Sequence, residues 1–96
     1  MAAYVIVDIE VTDPAGYEEY RKLAAPAVAA FGGKFLVRGG PTATLEGNWR
    51  PKRVVLLEFP DVQHAQAWWA SEEYRAARAI RQRTAVTNMV VAEGIA

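Results

Sequence analysis

Apolar and polar residues alternate along the first strand-like stretch of the chain. Val5, Val7 and Ile9 fall on one side of it, and Asp8 falls on the other. A period of two, rich in β-branched residues, predicts a strand from Ala3 to Val11.

The spacing then changes to that of a helix. Asp13 is the predicted N-cap and Pro14 the first helical residue, and apolar residues recur at helical spacing as far as Phe31. Gly32-Gly33 ends the helix. Pro26 lies inside it and predicts a kink, because proline has no N–H to donate.

Two more alternating runs predict strands from Lys34 to Arg38 and from Arg53 to Phe59. Gly39-Gly40-Pro41 interrupts the first of them and predicts a bulge. Thr42 to Glu46 is expected to continue that strand toward a turn at Gly47-Asn48.

A second helix is predicted to start at Pro60-Asp61. Val62, Ala65 and Trp69 recur at i, i+3 and i+7, so we expect Trp69 in the core and Trp68 at its edge.

Ser71 has the character of a fresh N-cap inside this helical region. It is followed by a segment from Glu72 to Arg83 with acids at its start and arginines at its end. Thr87 to Glu93 is predicted as a fourth strand.

The order β-α-β-β-α-β predicts an α+β, ferredoxin-like fold in which a four-stranded antiparallel sheet carries two helices on one face. A length of 96 residues fits one domain, residues 1–96.

The helices can cover only one face of this sheet. The expected covered residues are Val5, Val7, Ile9, Phe35, Val37, Val55, Leu57 and Phe59. The other face then carries Tyr4, Ile6, Leu36, Val54 and Leu56, with Asp8, Arg38 and Glu58 among them. One interpretation is a sheet that faces water. The interpretation we favour is a homodimer in which this face packs on a second copy.

Composition narrows the function classes. Eleven basic residues balance eleven acidic ones, which argues against nucleic acid or an anionic membrane as the main partner. With no Cys and one His, no thiolate, cofactor or metal site is expected, although a carboxylate-only metal site stays open. No signal peptide or membrane span is recognisable, so a cytoplasmic location is expected.

Asp8, Arg38 and Glu58 are the candidate catalytic residues, because all three are predicted on the apolar face. The structural interpretation is an ion-pair network that fixes the dimer. The functional interpretation places them in a cavity between the two sheets, where Arg38 holds a carboxylate or enolate and an acid moves a proton.

Four aromatic residues are candidate ligand contacts: Tyr17, Trp49, Trp68 and Tyr74. Core packing is the alternative for Trp68, and contact with a second subunit is the alternative for Trp49, which lies in a polar loop.

Other polar residues are assigned to the surface. Arg75, Arg78 and Arg81 recur every three residues beside two glutamates and are interpreted as a solvated helix face. The lone His64 is interpreted in the same way. No phosphate-binding loop or Ser-His-acid arrangement is present.

Several motifs resemble a small bacterial family, domain of unknown function thirteen-thirty, of the dimeric α+β barrel superfamily. They are Thr12-Asp13-Pro14, Arg38-Gly39-Gly40, Glu46-Gly47-Asn48-Trp49-Arg50-Pro51, Glu58-Phe59-Pro60 and Ser71-Glu72-Glu73-Tyr74. The family often has Pro where this chain has Glu72.

The resemblance implies a homodimer whose two sheets face each other and form a barrel. It implies no activity, since related families include cofactor-free monooxygenases, isomerases, haem-degrading enzymes and ligand-sensing domains. Two hypotheses therefore remain: an enzyme acting on a small, partly apolar, oxygenated molecule, and a structural or ligand-sensing dimer without chemistry.

Overall fold

The computed structural model describes residues 1–95, and its elements follow the predicted order. The strands are β1 (Ala3–Val11), β2 (Lys34–Arg38), β3 (Val54–Phe59) and β4 (Ala85–Glu93), and the helices are α1 (Pro14–Ala30), α2 (Val62–Ala70) and α3 (Glu72–Thr84). All strand pairs are antiparallel, in the order β2-β3-β1-β4. The ferredoxin-like fold is confirmed.

The helix starts follow the capping residues in the sequence. Asp13 accepts the amide of Gly16 at 3.2 Å, and Asp61 accepts the amide of His64 at 2.7 Å. The helix α1 continues through Pro26, which lies on its exposed side.

The second helical region consists of two helices, α2 and α3, so three helices and not two pack on the sheet. Ser71 is extended (φ −73°, ψ 158°), and its hydroxyl accepts the amide of Tyr74 at 3.1 Å. The same hydroxyl donates to the Trp68 carbonyl at 2.7 Å, which joins the end of α2 to the start of α3. The fresh N-cap at Ser71 is thus confirmed.

The prediction that Trp69 lies in the core and Trp68 at its edge was wrong, whereas core packing, the alternative for Trp68, is what the structure shows. Trp68 is 1% exposed, whereas Trp69 is 43% exposed. The Trp68 ring packs between the rings of Phe59 and Tyr74, at centroid distances of 5.3 and 4.4 Å. Trp69 is on the outside of α2, where the guanidinium of Arg78 covers it. The helical spacing from Val62 through Ala65 therefore identified Trp69 as the buried ring, whereas the buried ring is Trp68.

The bulge in β2 lies earlier than predicted. Phe35 is opposite Leu57, but Val37 is opposite Leu56, so Leu36 is an extra residue in the ladder. The strand does not resume after Gly40, because residues 39–53 form neither helix nor strand. Continuation over Thr42 to Glu46 was therefore wrong.

This bulge changes which residues share a face of the sheet. Val37 joins Leu56 on the face without helices, and Arg38 joins Val55 on the helix face. The open face then has an apolar row that crosses all four strands in register, formed by Val37, Leu56, Ile6 and Val90. Of this row, Ile6 is 36% and Val90 60% exposed.

Candidate functional site

A cavity of about 500 Å³ lies between the helices and the β1–β4 side of the sheet. Its volume is in the range of small-molecule sites. Its apolar lining comes from Val5, Ala65, Trp68, Trp69, Ala85, Met89, Val90 and Val91, and its polar lining from Gln66, Arg81, Gln82 and Thr87. No Asp or Glu is among these residues.

Arg81 is the charged group of the cavity, although it is only 4% exposed. It falls on the buried side of α3, together with Tyr74, Ala77 and Thr84. The interpretation of Arg81 as part of a solvated stripe was wrong, whereas Arg75 on the same helix is exposed.

Arg81 is held by a chain of hydroxyl groups. Its Nε donates to the Tyr74 hydroxyl at 3.2 Å, and that hydroxyl is 2.8 Å from the Tyr20 hydroxyl. Burial, helped by the neighbouring Tyr74, raises the pKa of Tyr20 far above its ordinary value. Tyr20 therefore stays neutral and does not balance the charge of the guanidinium.

Two further cavity residues have polar atoms that lack a partner. Trp68 Nε1 and Thr87 Oγ1 are both buried and make no hydrogen bond within residues 1–95. A buried donor without a partner is costly, and such groups call for an explanation in a folded protein. Here both belong to residues that line the same cavity as Arg81.

Asp8 anchors the loop of residues 39–53 to β1. It accepts hydrogen bonds from Trp49 Nε1 at 3.1 Å, from the Lys52 amide at 3.0 Å and, more weakly, from the Arg53 amide at 3.5 Å. Burial by itself would raise the pKa of Asp8, but these hydrogen bonds outweigh it and lower the pKa below its ordinary value. Both carboxylate oxygens of Asp8 are therefore engaged by the loop.

Glu58 has its own partners on the open face. Its carboxylate is 3.0 Å from Lys34 Nζ. Hydrogen bonds from Lys34 and from the Tyr4 hydroxyl lower the pKa of Glu58. Because Glu58 is opposite Tyr4 in the ladder, it lies four residues along β1 from Asp8, or ~13 Å at ~3.3 Å per residue.

Arg38 lies on the opposite face from both acids. Its guanidinium carbon is 4.2 Å from the centroid of the Phe35 ring, beside a cavity of about 20 Å³ under α1. That volume holds about one water molecule. The structure therefore does not bring Asp8, Arg38 and Glu58 together. The two acids are separated along the sheet, and the extra residue Leu36 puts Arg38 on the other face.

The predicted aromatic contacts divide between the two cavities and the surface. Trp68 lines the large cavity. Tyr74 does not line it, but its hydroxyl accepts a hydrogen bond from Arg81, which does. Tyr17 is 5% exposed and lines the small cavity, where burial raises its pKa. Trp49 is 61% exposed, and its indole N–H donates a hydrogen bond to Asp8.

Arg81 and Thr87 were not among the candidates from the sequence. For Arg81 a signal did exist, since Tyr74, Ala77 and Arg81 recur at i, i+3 and i+7 and define the buried stripe of α3. Thr87 carries no such signal, because threonine is common in strands whatever it faces.

Two general properties of residues 1–95 bear on the site. Among them, no group of three or more His, Cys, Asp or Glu side chains is arranged to hold a metal ion. No helix in this part of the chain is long and apolar enough to cross a membrane.

The chain belongs to the family described as Domain of unknown function (DUF1330), whose model matches residues 2–95. No curated protein matches the chain.

Solved structures with the same fold come from several bacteria. A protein of unknown function from Rhodopseudomonas palustris is 18% identical, with a TM-score of 0.78 over 99% of this chain and 83% of that one. A dimeric ferredoxin-like protein of unknown function from Jannaschia sp. CCS1 is 14% identical, with a TM-score of 0.72 over 98% and 100%. SnoaB, a cofactor-independent oxygenase from Streptomyces nogalater, is 11% identical, with a TM-score of 0.65 over 99% and 94%. At these identities the likeness establishes the fold.

Proposed function

We propose that the protein is a homodimer that binds a small, partly apolar, oxygenated molecule in the cavity between α2–α3 and the sheet. The observation that carries the proposal is the combination of a cavity of about 500 Å³ with a buried guanidinium at its wall. An apolar cavity with a few polar groups is the usual form of a small-molecule site.

The cavity replaces the location expected from the sequence. The space between two sheets was expected to hold the ligand, with Asp8, Arg38 and Glu58 at its base. Asp8 and Glu58 are each occupied by partners of their own, and Arg38 is on the other face. The helix-side cavity has a polar lining of its own, formed by Gln66, Arg81, Gln82 and Thr87.

The open face of the sheet supports the homodimer. Its apolar row crosses all four strands, and a monomer would leave that row in water. Glu58 is paired with Lys34 and Asp8 accepts three hydrogen bonds, so covering them with a second sheet would leave neither carboxylate without polar partners. The proteins of similar fold from Jannaschia sp. CCS1 and Bacteroides fragilis are dimeric.

The alternative is a structural dimer that binds nothing, and a pair of variants on α2 distinguishes the two. Ala65 lines the cavity and is 2% exposed, so Ala65→Leu fills part of the space. Ala67 is exposed on the same helix, outside the cavity, so Ala67→Leu makes the same chemical change as a control.

The test is a ligand-observed NMR screen with aromatic acids, phenols, ketones and amides. We expect compounds that bind the wild type and Ala67→Leu but lose at least about tenfold in affinity with Ala65→Leu, since the side chain removes their space. If no compound separates the two variants, the proposal is wrong and the structural dimer stands.

A further inference from the structure

Arg81 is the charged side chain in the lining of the cavity. Building on the proposed function, we propose that the ligand is a monoanion with a planar oxyanion group, a carboxylate or an enolate, and that Arg81 is its charge partner.

The guanidinium of Arg81 has no balancing anion in the described part of the chain. No carboxylate of residues 1–95 is within salt-bridge distance of it, although the side chain is 4% exposed. Arginine does not relieve such a position by losing its proton, as a lysine or a histidine would. The buried charge is therefore permanent, and a bound anion would compensate it.

The hydroxyl chain leaves one side of the guanidinium available. Nε is used by Tyr74, whose hydroxyl is in turn held by Tyr20, and this fixes the plane of the group. The two terminal nitrogens take no part in this hydroxyl chain. A pair of parallel N–H donors matches the two oxygens of a carboxylate, or the oxygens of an enolate beside a second carbonyl.

The rest of the lining limits the ligand to one negative charge. No second cationic or acidic side chain lines the cavity. A dianion would leave one charge uncompensated in apolar surroundings, and a neutral molecule would leave Arg81 as it is. Trp68 Nε1 and Thr87 Oγ1 are further hydrogen-bonding groups on residues of the same wall.

A matched series of probes tests this charge selection on the full-length protein. The probes are 1-naphthoate, its neutral isostere 1-naphthamide, and the dianion naphthalene-1,4-dicarboxylate, titrated at pH 7 into ¹⁵N-labelled protein while the indole N–H signal of Trp68 is followed. We expect the affinity for 1-naphthoate to be at least about tenfold higher than for either of the other two probes.

Variants of α3 assign the selection to Arg81. In Arg81→Gln the preference for 1-naphthoate over 1-naphthamide should fall to about twofold or less, because the charge is gone. Arg75→Gln removes an exposed arginine from the same helix and should keep the tenfold preference. Arg81→Lys keeps the positive charge but loses the pair of parallel N–H donors, so it should retain part of the preference for 1-naphthoate.

The outcomes separate this inference from the proposed function. Equal binding of acid and amide by the wild type, or an unchanged preference in a folded Arg81→Gln, overturns the assignment while the cavity function stands. If no probe binds in a way that Ala65→Leu abolishes, the charge assignment fails, and the wider NMR screen decides whether the cavity function fails with it. Should Arg81→Gln not fold, the wild-type comparison of acid, amide and dianion decides by itself.

Discussion

Trp49 and Asp8 are joined by a hydrogen bond of 3.1 Å that connects the middle of a long loop to the first strand. The two residues are 41 positions apart in the chain. With the amides of Lys52 and Arg53, this bond makes the Asp8 carboxylate the attachment point of residues 39–53. The acid expected to be catalytic has a structural task.

The first prediction concerns acid stability. The pKa of Asp8 is lowered in the folded protein, so its contribution to stability is fully present above the unfolded value of 3.8 and is lost as the pH falls through the folded value. Asp8→Asn should cost about 1 kcal/mol at pH 7 and should flatten the loss of stability below about pH 4. Urea unfolding between pH 7 and 2.5 measures both effects.

The control for Asp8 is Glu10→Gln, which removes an exposed acid from the same strand. Its stability at pH 7 should stay within about 0.5 kcal/mol of the wild type. If Asp8→Asn shows the same pH profile as the wild type, the carboxylate does not anchor the loop.

The second prediction concerns the glycine after the bulged strand. Gly39 has φ +77°, and a Cβ there would meet the guanidinium of Arg53. Gly39→Ala should cost about 1–3 kcal/mol from both causes. Gly40→Ala is the matched control, because nothing is within 4 Å of its Cβ and its φ is not positive.

Thermal unfolding of the two glycine variants tests this comparison. Gly39→Ala should lower Tm by several degrees, whereas Gly40→Ala should leave it unchanged or raise it slightly. Equal effects of the two substitutions would contradict the conclusion that position 39 needs a glycine.

Much of the fold could be predicted because its signals are local. Alternation identified the strands, and Asp13, Asp61 and Ser71 marked the helix starts, each through a side chain that accepts an amide three residues on. The bulge at Leu36 could not be predicted in this way. It is a property of backbone pairing between β2 and β3, and a leucine in a strand carries no sign of it.

That single extra residue explains most of the difference between the expected and the observed site. An unbroken alternation puts Arg38 on the face of Glu58, and the shifted register puts it on the face of Val55. The two acids then lie on the open face without Arg38, and Glu58 pairs with Lys34 instead. The cation that does line a sizeable cavity, Arg81, was hidden among arginines that share its spacing but not its side of α3.

The third prediction compares the adjacent tryptophans. Trp68→Ala removes a ring that is 1% exposed and in contact with two aromatic rings, and should cost about 3–5 kcal/mol. Trp69→Ala removes a ring that is 43% exposed and covered by Arg78, and should cost about 1 kcal/mol or less. Urea unfolding at a single protein concentration measures both. Similar costs would contradict the burial of Trp68 and the exposure of Trp69, and a larger cost for Trp69→Ala would favour the core residue expected from the sequence stripe.

The fourth prediction concerns the open face of the sheet. Ile6 is in the middle of the apolar row, between Leu56 and Val90, and is 36% exposed. In a dimer that buries this face, Ile6→Glu would place a charge without a partner at the centre of the interface, which is strongly unfavourable. We therefore expect light scattering to show a dimer for the wild type and a monomer for this variant at the same concentration.

Leu23 supplies a control of matched chemistry for Ile6. It is 43% exposed on the outside of α1, so Leu23→Glu introduces the same charge on the other side of the molecule. That variant should remain a dimer and keep its circular dichroism spectrum. If Ile6→Glu also remains a dimer, the apolar row faces water, because a buried face cannot accept an unpaired carboxylate without a large loss of affinity. If Leu23→Glu alone dissociates, the copies meet through α1, and the open face of the sheet is not the interface.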